Sequence, residues 1–522
     1  MKNTLQRLNW LSRMRLQSAS AMLALALVLL LVVAASQSAQ AQTLKVLHSF
    51  DGTDGSSPVG TLVQATNGDL YGTTQNGGAT GADEGTVFEI TPTGKLTLRR
   101  NFNGADGQFP SAGLVQDTNG DFYGTTSEGG TSIGNGQCLD INNNDVGCGV
   151  VFKLTPSGKL TTLYNFCPDQ DCPDGAYPEA ALVQATNGDL YGTTETAGGN
   201  LDGTVFKITP SGTLTELYSF DYGDGAGPVA ALVQDTNGDL YGTTAGGGQG
   251  QDGNGTVFKI TPSGTLTTFY NFCWNYGCLD GSNPKAALVQ ATNGDLYGTT
   301  TYGGANSCLL NGRNYGCGTV FKITPSGTLT TLYSFCSQSN CTDGKYPLYA
   351  GLVQATDGNL YGTTSVGGAN TTECEGGGCG TIFKITPTGT LTTVYSFCSL
   401  TACADGDEPD AALVQDTNGD LYGTTENGGA SGFGTVFSLS VGLGPFVETR
   451  LTSGKVGAAV QILGTKLTGA TSVTFNGKTA TFKVVSSTEI TTTVPTGATT
   501  GKVKVKTPSG TLTSNVNFRV TK

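Results

Sequence analysis

The tetrapeptide Tyr-Gly-Thr-Thr recurs seven times, beginning at Tyr71, Tyr123, Tyr191, Tyr241, Tyr297, Tyr361 and Tyr422. A long period of this kind marks an array of like units. Residues 287–335 display one unit as four extended segments. Ala287–Thr292 runs into Asn293-Gly294, a two-residue hairpin signal that requires positive φ, and Leu296–Thr300 returns. A variable Gly-rich loop follows, then Gly318–Thr324, a Thr-Pro-Ser-Gly turn, and Leu329–Phe335, whose alternation predicts Leu329, Thr331, Tyr333 and Phe335 on one face. Four antiparallel strands per unit is the make-up of a propeller blade.

The copy count carries the sharper constraint. Seven first, second and third segments are present, but only six fourth segments follow a third one. The missing fourth segment lies at the other end of the array, as Leu44–Phe50, while the last unit stops at Gly434–Ser440. An open spiral has no use for this offset. A ring does, because the N-terminal strand then completes the seventh blade and removes two exposed sheet edges. The expected fold is therefore all-β, a seven-bladed β-propeller closed by an N-terminal strand, with small residues such as Ala286 and Ala287 entering a crowded inner strand.

Ahead of the array, Lys2, Arg7, Arg13 and Arg15 precede an apolar run from Ala21 to Ala35, and Ala39-Gln40-Ala41 supplies a small-x-small cleavage pattern. Residues 1–41 read as a signal peptide, too short in its apolar part for a membrane span of roughly 20 residues. A secreted or cell-surface chain with no span after signal removal is expected; retention as an anchor is the alternative. Without the signal, 23 basic residues face 40 acidic ones, a formal charge of about −17. With no Lys/Arg cluster outside the signal, nucleic acid is an unfavourable partner.

The pattern Leu-Val-Gln, Asn-Gly-Asp-Leu-Tyr-Gly-Thr-Thr, Gly-Gly and Gly-Thr-Val-Phe-Lys-Ile-Thr-Pro-Ser-Gly resembles the GloVer tandem repeats of secreted bacterial proteins with a choice of surface anchors. The resemblance spans residues 44–440. It implies an extracellular or surface protein and no particular reaction, and no hydrophobic C-terminal sorting tail accompanies it here.

Fourteen cysteines in a chain of this kind read as disulfides. Each has a close partner: Cys138 with Cys148, Cys167 with Cys172, Cys273 with Cys278, Cys308 with Cys317, Cys336 with Cys341, Cys374 with Cys379, and Cys398 with Cys403. Such short loops gain about 1.5–2 kcal/mol apiece from closure, so the pairs serve to shape loops. A zinc site would need two pairs to converge, and His48 is the sole histidine. The pairs fall either between second and third strands or between one blade and the next, and in an up-and-down blade both connections emerge on one face. Variable loops on a rigid scaffold are where binding resides.

Asp-Gly-x-x-Pro occurs seven times, at Asp54, Asp106, Asp174, Asp224, Asp280, Asp343 and Asp405. A ring of carboxylates for a cation is one reading; a loop turn in which Asp accepts backbone hydrogen bonds is the favoured one. Asp117–Glu128 imitates a calcium loop, but Phe122 stands where that loop needs glycine. Neither a Ser-His-Asp nor a Cys-His arrangement is available around the single histidine. No cofactor and no metal is called for. The ligand-binding candidates are aromatic: Trp274 and Tyr276 in one cysteine loop, with Tyr177, Tyr302, Tyr315 and Tyr346 on similar connections, able to stack on sugars or anchor proteins. Packing over the blade edges is the plainer role for them.

After Gly442 the repeat stops and Lys and Val become frequent. Short segments at 458–463, 472–475, 479–485, 489–494, 502–507 and 516–520, split by turn residues, predict a β-sandwich. Val460–Leu467, Ser472–Gly477, Thr488–Ile490 and Val494-Pro495 look like an IPT/TIG domain over residues 444–522, an immunoglobulin-like module that serves as spacer or contact unit. The combined expectation is a monomeric, non-enzymatic binding or adhesion protein that offers its loop face to a glycan or extracellular protein. The alternatives are a carbohydrate-active hydrolase or lyase and a structural envelope component.

Overall fold

The structure is a computed structural model. It describes residues 42–521 apart from 80, 82, 132–137, 140–143, 170, 236, 251–252, 275–276, 311, 372–373 and 375–376. The expected signal segment lies outside the described residues. Among those described, no helix is long and apolar enough to cross a membrane.

Seven four-stranded antiparallel sheets form the propeller, and each runs in chain order from a two-residue inner strand outward. The exception is the seventh, in which Thr43–Ser49 lies outermost beside Thr435–Ser440. Phe50 N–H donates to Gly434 O at 3.0 Å, as Phe335 N–H does to Gly318 O in the fifth blade. The terminal strand thus occupies an ordinary blade position, and the ring is closed.

Tyr-Gly-Thr-Thr is legible atom by atom. In Leu296–Thr300 all five residues are buried. A Cβ on Gly298 would stand 2.6 Å from the Phe321 ring and 2.7 Å from Leu288, so only glycine fits. Thr299 Oγ1 donates to Ala350 O of the next blade at 3.3 Å, while Thr300 Oγ1 bonds Thr319 Oγ1 within its own blade at 2.9 Å. One threonine therefore joins blades and the other joins strands.

Phenylalanines fasten each blade to the next. Phe335 meets Phe383 edge-on at 5.2 Å, Phe397 meets Phe437 at 5.3 Å, and Phe50 meets Phe88 at 5.3 Å across the closure. Near the axis the inner-strand glutamines add a second tie. Gln415 accepts from Thr356 N–H of the preceding blade, and Gln64 accepts from Thr417 N–H across the closure at 3.1 Å.

Two expectations need correction. The inner segment is regular strand only at Val289–Gln290, not across Ala287–Thr292. In the outer strand a bulge interrupts the register: Phe321 opposes Thr331 but Val320 opposes Tyr333. Leu332 is the extra residue, so Tyr333 faces opposite to Leu329 and Thr331. The bulge recurs in all six blades that keep a consecutive fourth strand. It aims the tyrosine at the following loop.

The C-terminal sandwich packs Ile462, Val473, Phe475, Ile490, Val503, Val505 and Phe518 between its sheets. The expected 479–485 strand is split into Lys478–Ala480 and Phe482–Val484, which pair in different sheets. Val447–Thr449 and Ser453–Lys455 are strands that turn and charge patterns did not signal. The sandwich rests on the Asn-Gly turns of the propeller. Thr488 Oγ1 donates to Thr66 O at 2.8 Å, Gln461 to Thr118 O at 3.0 Å, and Arg450 to Gln116 Oε1 at 3.0 Å. This face is opposite to the cysteine-bearing loops, which it leaves uncovered.

Candidate functional site

The bulge explains the repeated Asp-Gly-x-x-Pro. Tyr333 Oη donates to Asp343 at 2.8 Å, Tyr395 to Asp405 at 2.7 Å, Tyr270 to Asp280 at 2.9 Å and Tyr164 to Asp174 at 2.9 Å. Tyr218 does the same to Asp224. Arg100 pairs with Asp106, and His48 Nε2 lies 2.6 Å from Asp54. Backbone N–H groups complete several of these turns, such as Ser337 N–H to Asp343 at 2.9 Å. Each carboxylate is held in its own loop by a side chain of the preceding strand. The single histidine is accounted for by the same structural position.

The loops carry seven disulfides, each within one connection. Pairs on different loops converge, which sequence spacing did not indicate. Cys374 Sγ lies 3.5 Å from Cys398 Sγ, and the sulfurs of Cys374, Cys379, Cys398 and Cys403 all lie within 4.8 Å of one another. Similar groupings join Cys138 and Cys148 to Cys167, and Cys308 to Cys336 and Cys341. Blades 2, 5 and 6 therefore have their two loops packed disulfide against disulfide, which stiffens this face.

Three of the aromatic candidates meet here. Tyr302 lies 5.6 Å from Tyr315 and 5.6 Å from Tyr346, ring centre to ring centre. Tyr315 is exposed, while Tyr302 and Tyr346 are half-buried. Lys345 Nζ sits 5.7 Å from the Tyr346 ring centre. Trp274, at 58 % exposure, is the most open of the described rings of the group. Tyr177 is apart from the cluster, half-buried against Cys138, Cys172 and Ala176. Tyr276 lies outside the described residues.

A second group was not read from the sequence. The residue after the proline of Asp-Gly-x-x-Pro and the residue after Tyr-Gly-Thr-Thr sit where inner and second strands reach the loop face. In most blades they are apolar or small, but Glu179, Lys285 and Asp410 occupy the first position, and Glu195 and Glu426 the second. An extra residue in blade 6 adds Tyr349, whose ring lies 5.4 Å from Lys285 Nζ. Burial pushes the Glu179 carboxyl up to about 7, with the Glu195 charge adding and Lys285 opposing. Burial likewise raises Asp410, which accepts from the Ser365 hydroxyl and lies beside Glu426. Tyr349 feels Glu179, Glu195, Asp410 and Glu426 together. Side chains from blades 3, 5, 6 and 7 thus converge on the channel mouth. A charged residue breaking an otherwise neutral repeat position was the available signal.

These protons have a consequence for stability. Glu179 in the folded chain keeps its proton up to about pH 7, whereas its ordinary value is 4.5. Stability it contributes is complete below about pH 4.5 and is lost as pH rises through 7. Glu179→Gln is expected to flatten that loss, read as the difference in urea midpoint between about pH 5 and pH 8.

The opposite end of the channel is roofed by the sandwich. A cavity of about 720 Å³ remains between them, walled by Val183, Val233 and Val289 on the propeller side and by Arg450, Asn517 and Arg519 above.

Among curated proteins, none matches the chain. Solved structures that resemble it include a fungal alcohol oxidase of the AA5 family in complex with copper, 14 % identical over 92 % of this chain and 99 % of that one, with a TM-score of 0.48. Another is described as the extracellular domain of a hybrid two-component system from B. thetaiotaomicron, 12 % identical over 91 % of this chain and 57 % of that one, with a TM-score of 0.46. The IPT/TIG model matches residues 445–520. The Gloeobacter/Verrucomicrobia repeat model matches residues 35–148, 141–310 and 307–482. With matches over most of its length, the chain belongs to the Gloeobacter/Verrucomicrobia repeat family and carries an IPT/TIG domain at its C-terminal end.

Proposed function

We propose that this is a secreted or cell-surface binding protein, non-enzymatic, whose disulfide-braced loop face holds a glycan. The observation that carries the reading is the Tyr302, Tyr315 and Tyr346 cluster, with Lys345 beside it and Trp274 on a neighbouring class of loop. Exposed rings offer apolar faces to sugar C–H groups, and a rigid support lowers the ordering cost of binding. The polar mouth with Lys285, Tyr349 and the carboxylates supplies partners for hydroxyl groups.

A second reading has one specific support. Carboxyls with raised pKa, Glu179 and Asp410, have the property a glycoside-cleaving acid needs. One experiment separates the two. The chain is titrated with a panel of neutral oligosaccharides while Trp274 fluorescence is followed, and the bound sugar is then analysed for products. Saturable binding without turnover, weakened about tenfold by Tyr315→Ala, is the expected result. Turnover lost in Asp410→Asn would favour the enzyme, and no binding by any sugar would end the glycan reading.

A further inference from the structure

The chain segregates its charge. Residues 44–440 hold 13 basic and 38 acidic residues, whereas residues 444–522 hold ten basic and two acidic ones. Four of the propeller's ten lysines pair with hairpin-turn aspartates among the described residues: Lys153, Lys259 and Lys322 lie 3.5, 3.5 and 3.6 Å from Asp121, Asp239 and Asp295, and Lys207 lies 4.0 Å from Asp189. In the sandwich no lysine forms an ion pair among the described residues. Its two acids are engaged elsewhere, Glu448 beside Arg450 and Glu489 with Gln461.

Three of those lysines share a strand. Gly501–Thr507 alternates buried Val503 and Val505 with Lys502, Lys504 and Lys506. Positions two apart place the bases of these side chains about 7 Å from one another along one face. The absence of a Lys/Arg cluster expected from the sequence is corrected here, since the cluster appears once the strand's alternation is in place. Lys504 opposes Thr474 and Thr513, and Lys506 opposes Ser472 and Thr511, so hydroxyls flank the charges on both sides. A depression of about 460 Å³ beside Lys502 and Lys504 is walled by Asn476, Thr500 and Asn517. The propeller is hydrogen-bonded by Arg450, Gln461 and Thr488, none of which lies on the lysine strand or on the two strands beside it, and Lys504 and Lys506 are exposed.

We infer that this lysine-bearing sheet face of the IPT/TIG domain docks a carboxylate-bearing polysaccharide. A row of cations without ion-pair partners among the described residues, in which Lys502 donates to Asn515 O at 2.6 Å and Lys504 and Lys506 stand exposed, suits repeating anionic groups, and the hydroxyl and amide flanks suit sugar hydroxyls. Single-stranded nucleic acid fits less well: of the domain's four phenylalanines Phe446, Phe475 and Phe518 are buried and Phe482 is half-buried against the core, and with no Tyr or Trp the domain lacks a row of open rings on which successive bases could stack. The site is separate from the tyrosine cluster on the far face of the propeller.

The test uses the whole chain and polygalacturonate, with neutral dextran and duplex DNA as competitors, in affinity electrophoresis at about 20 mM and about 300 mM NaCl. Polygalacturonate is expected to retard the chain at low salt and not at high salt, with dextran inert. Lys504→Gln with Lys506→Gln should weaken retention at least about tenfold, whereas Lys504→Arg with Lys506→Arg should retain it. Tyr315→Ala should leave it unchanged, which keeps this result independent of the loop-face reading. Because both lysines are exposed, the melting temperature of the Gln variant should match that of the parent. No retention at low salt, undiminished retention in the Gln variant, or equal lysine-dependent binding of DNA would overturn the inference. So would low-salt self-association abolished by the same substitutions, which would make a second copy the occupant.

Discussion

A chain lacking residues 43–50 is expected to lose cooperative unfolding and to associate through the seventh blade. The truncation strips the outer strand from Thr435–Ser440 and leaves Val436 and Phe437 facing water, although both are fully buried in the closed ring. Phe50 is itself 0 % exposed and packs against Phe88. Loss of that side chain alone is worth about 3–5 kcal/mol, and the unpaired edge adds a template for aggregation. Calorimetry and light scattering on the full and shortened chains would show the effect. A peptide of residues 42–50 added in trans should restore part of the lost stability. Equal melting of the two chains would mean that the ring does not depend on its terminal strand.

Phe335→Ala is expected to cost about 3–5 kcal/mol. The ring is 0 % exposed and lies between blades, edge-on to Phe383 and packed with Leu352 and Leu360 in the same cluster. Its contacts cannot relax easily, because the backbone on either side is held by the Cys336–Cys341 loop and by the bond to Gly318 O. The measured quantity is the shift in denaturant midpoint at unchanged slope. As a contrast, Tyr333→Phe removes only the hydroxyl that reaches Asp343 and should cost about 1 kcal/mol. A reversed order would place the main inter-blade tie in the loops instead of the phenylalanines.

Much of the architecture was legible because the repeat is itself a geometric statement. The seven copies, the Asn-Gly turns and the displaced Leu44–Phe50 segment specify blade number and closure without reference to any contact. The favoured turn role of Asp-Gly-x-x-Pro was also accessible, although its partner was not: the Leu332 bulge that turns Tyr333 toward Asp343 leaves no mark in a period-two pattern. The tyrosine cluster was named residue by residue, but not that Tyr302 would stand between Tyr315 and Tyr346 while Tyr177 lay elsewhere.

Local rules, then, reach as far as strands, turns, blade count and the pairing of the cysteines, since each depends on residues near in sequence. The convergence of Glu179, Lys285, Tyr349 and Asp410 at the channel mouth depends on ring closure, which brings together positions more than 200 residues apart. The seating of the IPT/TIG domain on the Asn-Gly face, and the freedom of its lysine row, likewise follow from how two finished domains meet. Long-range proximity is paid for by burial across the whole fold, and no short stretch of sequence records it.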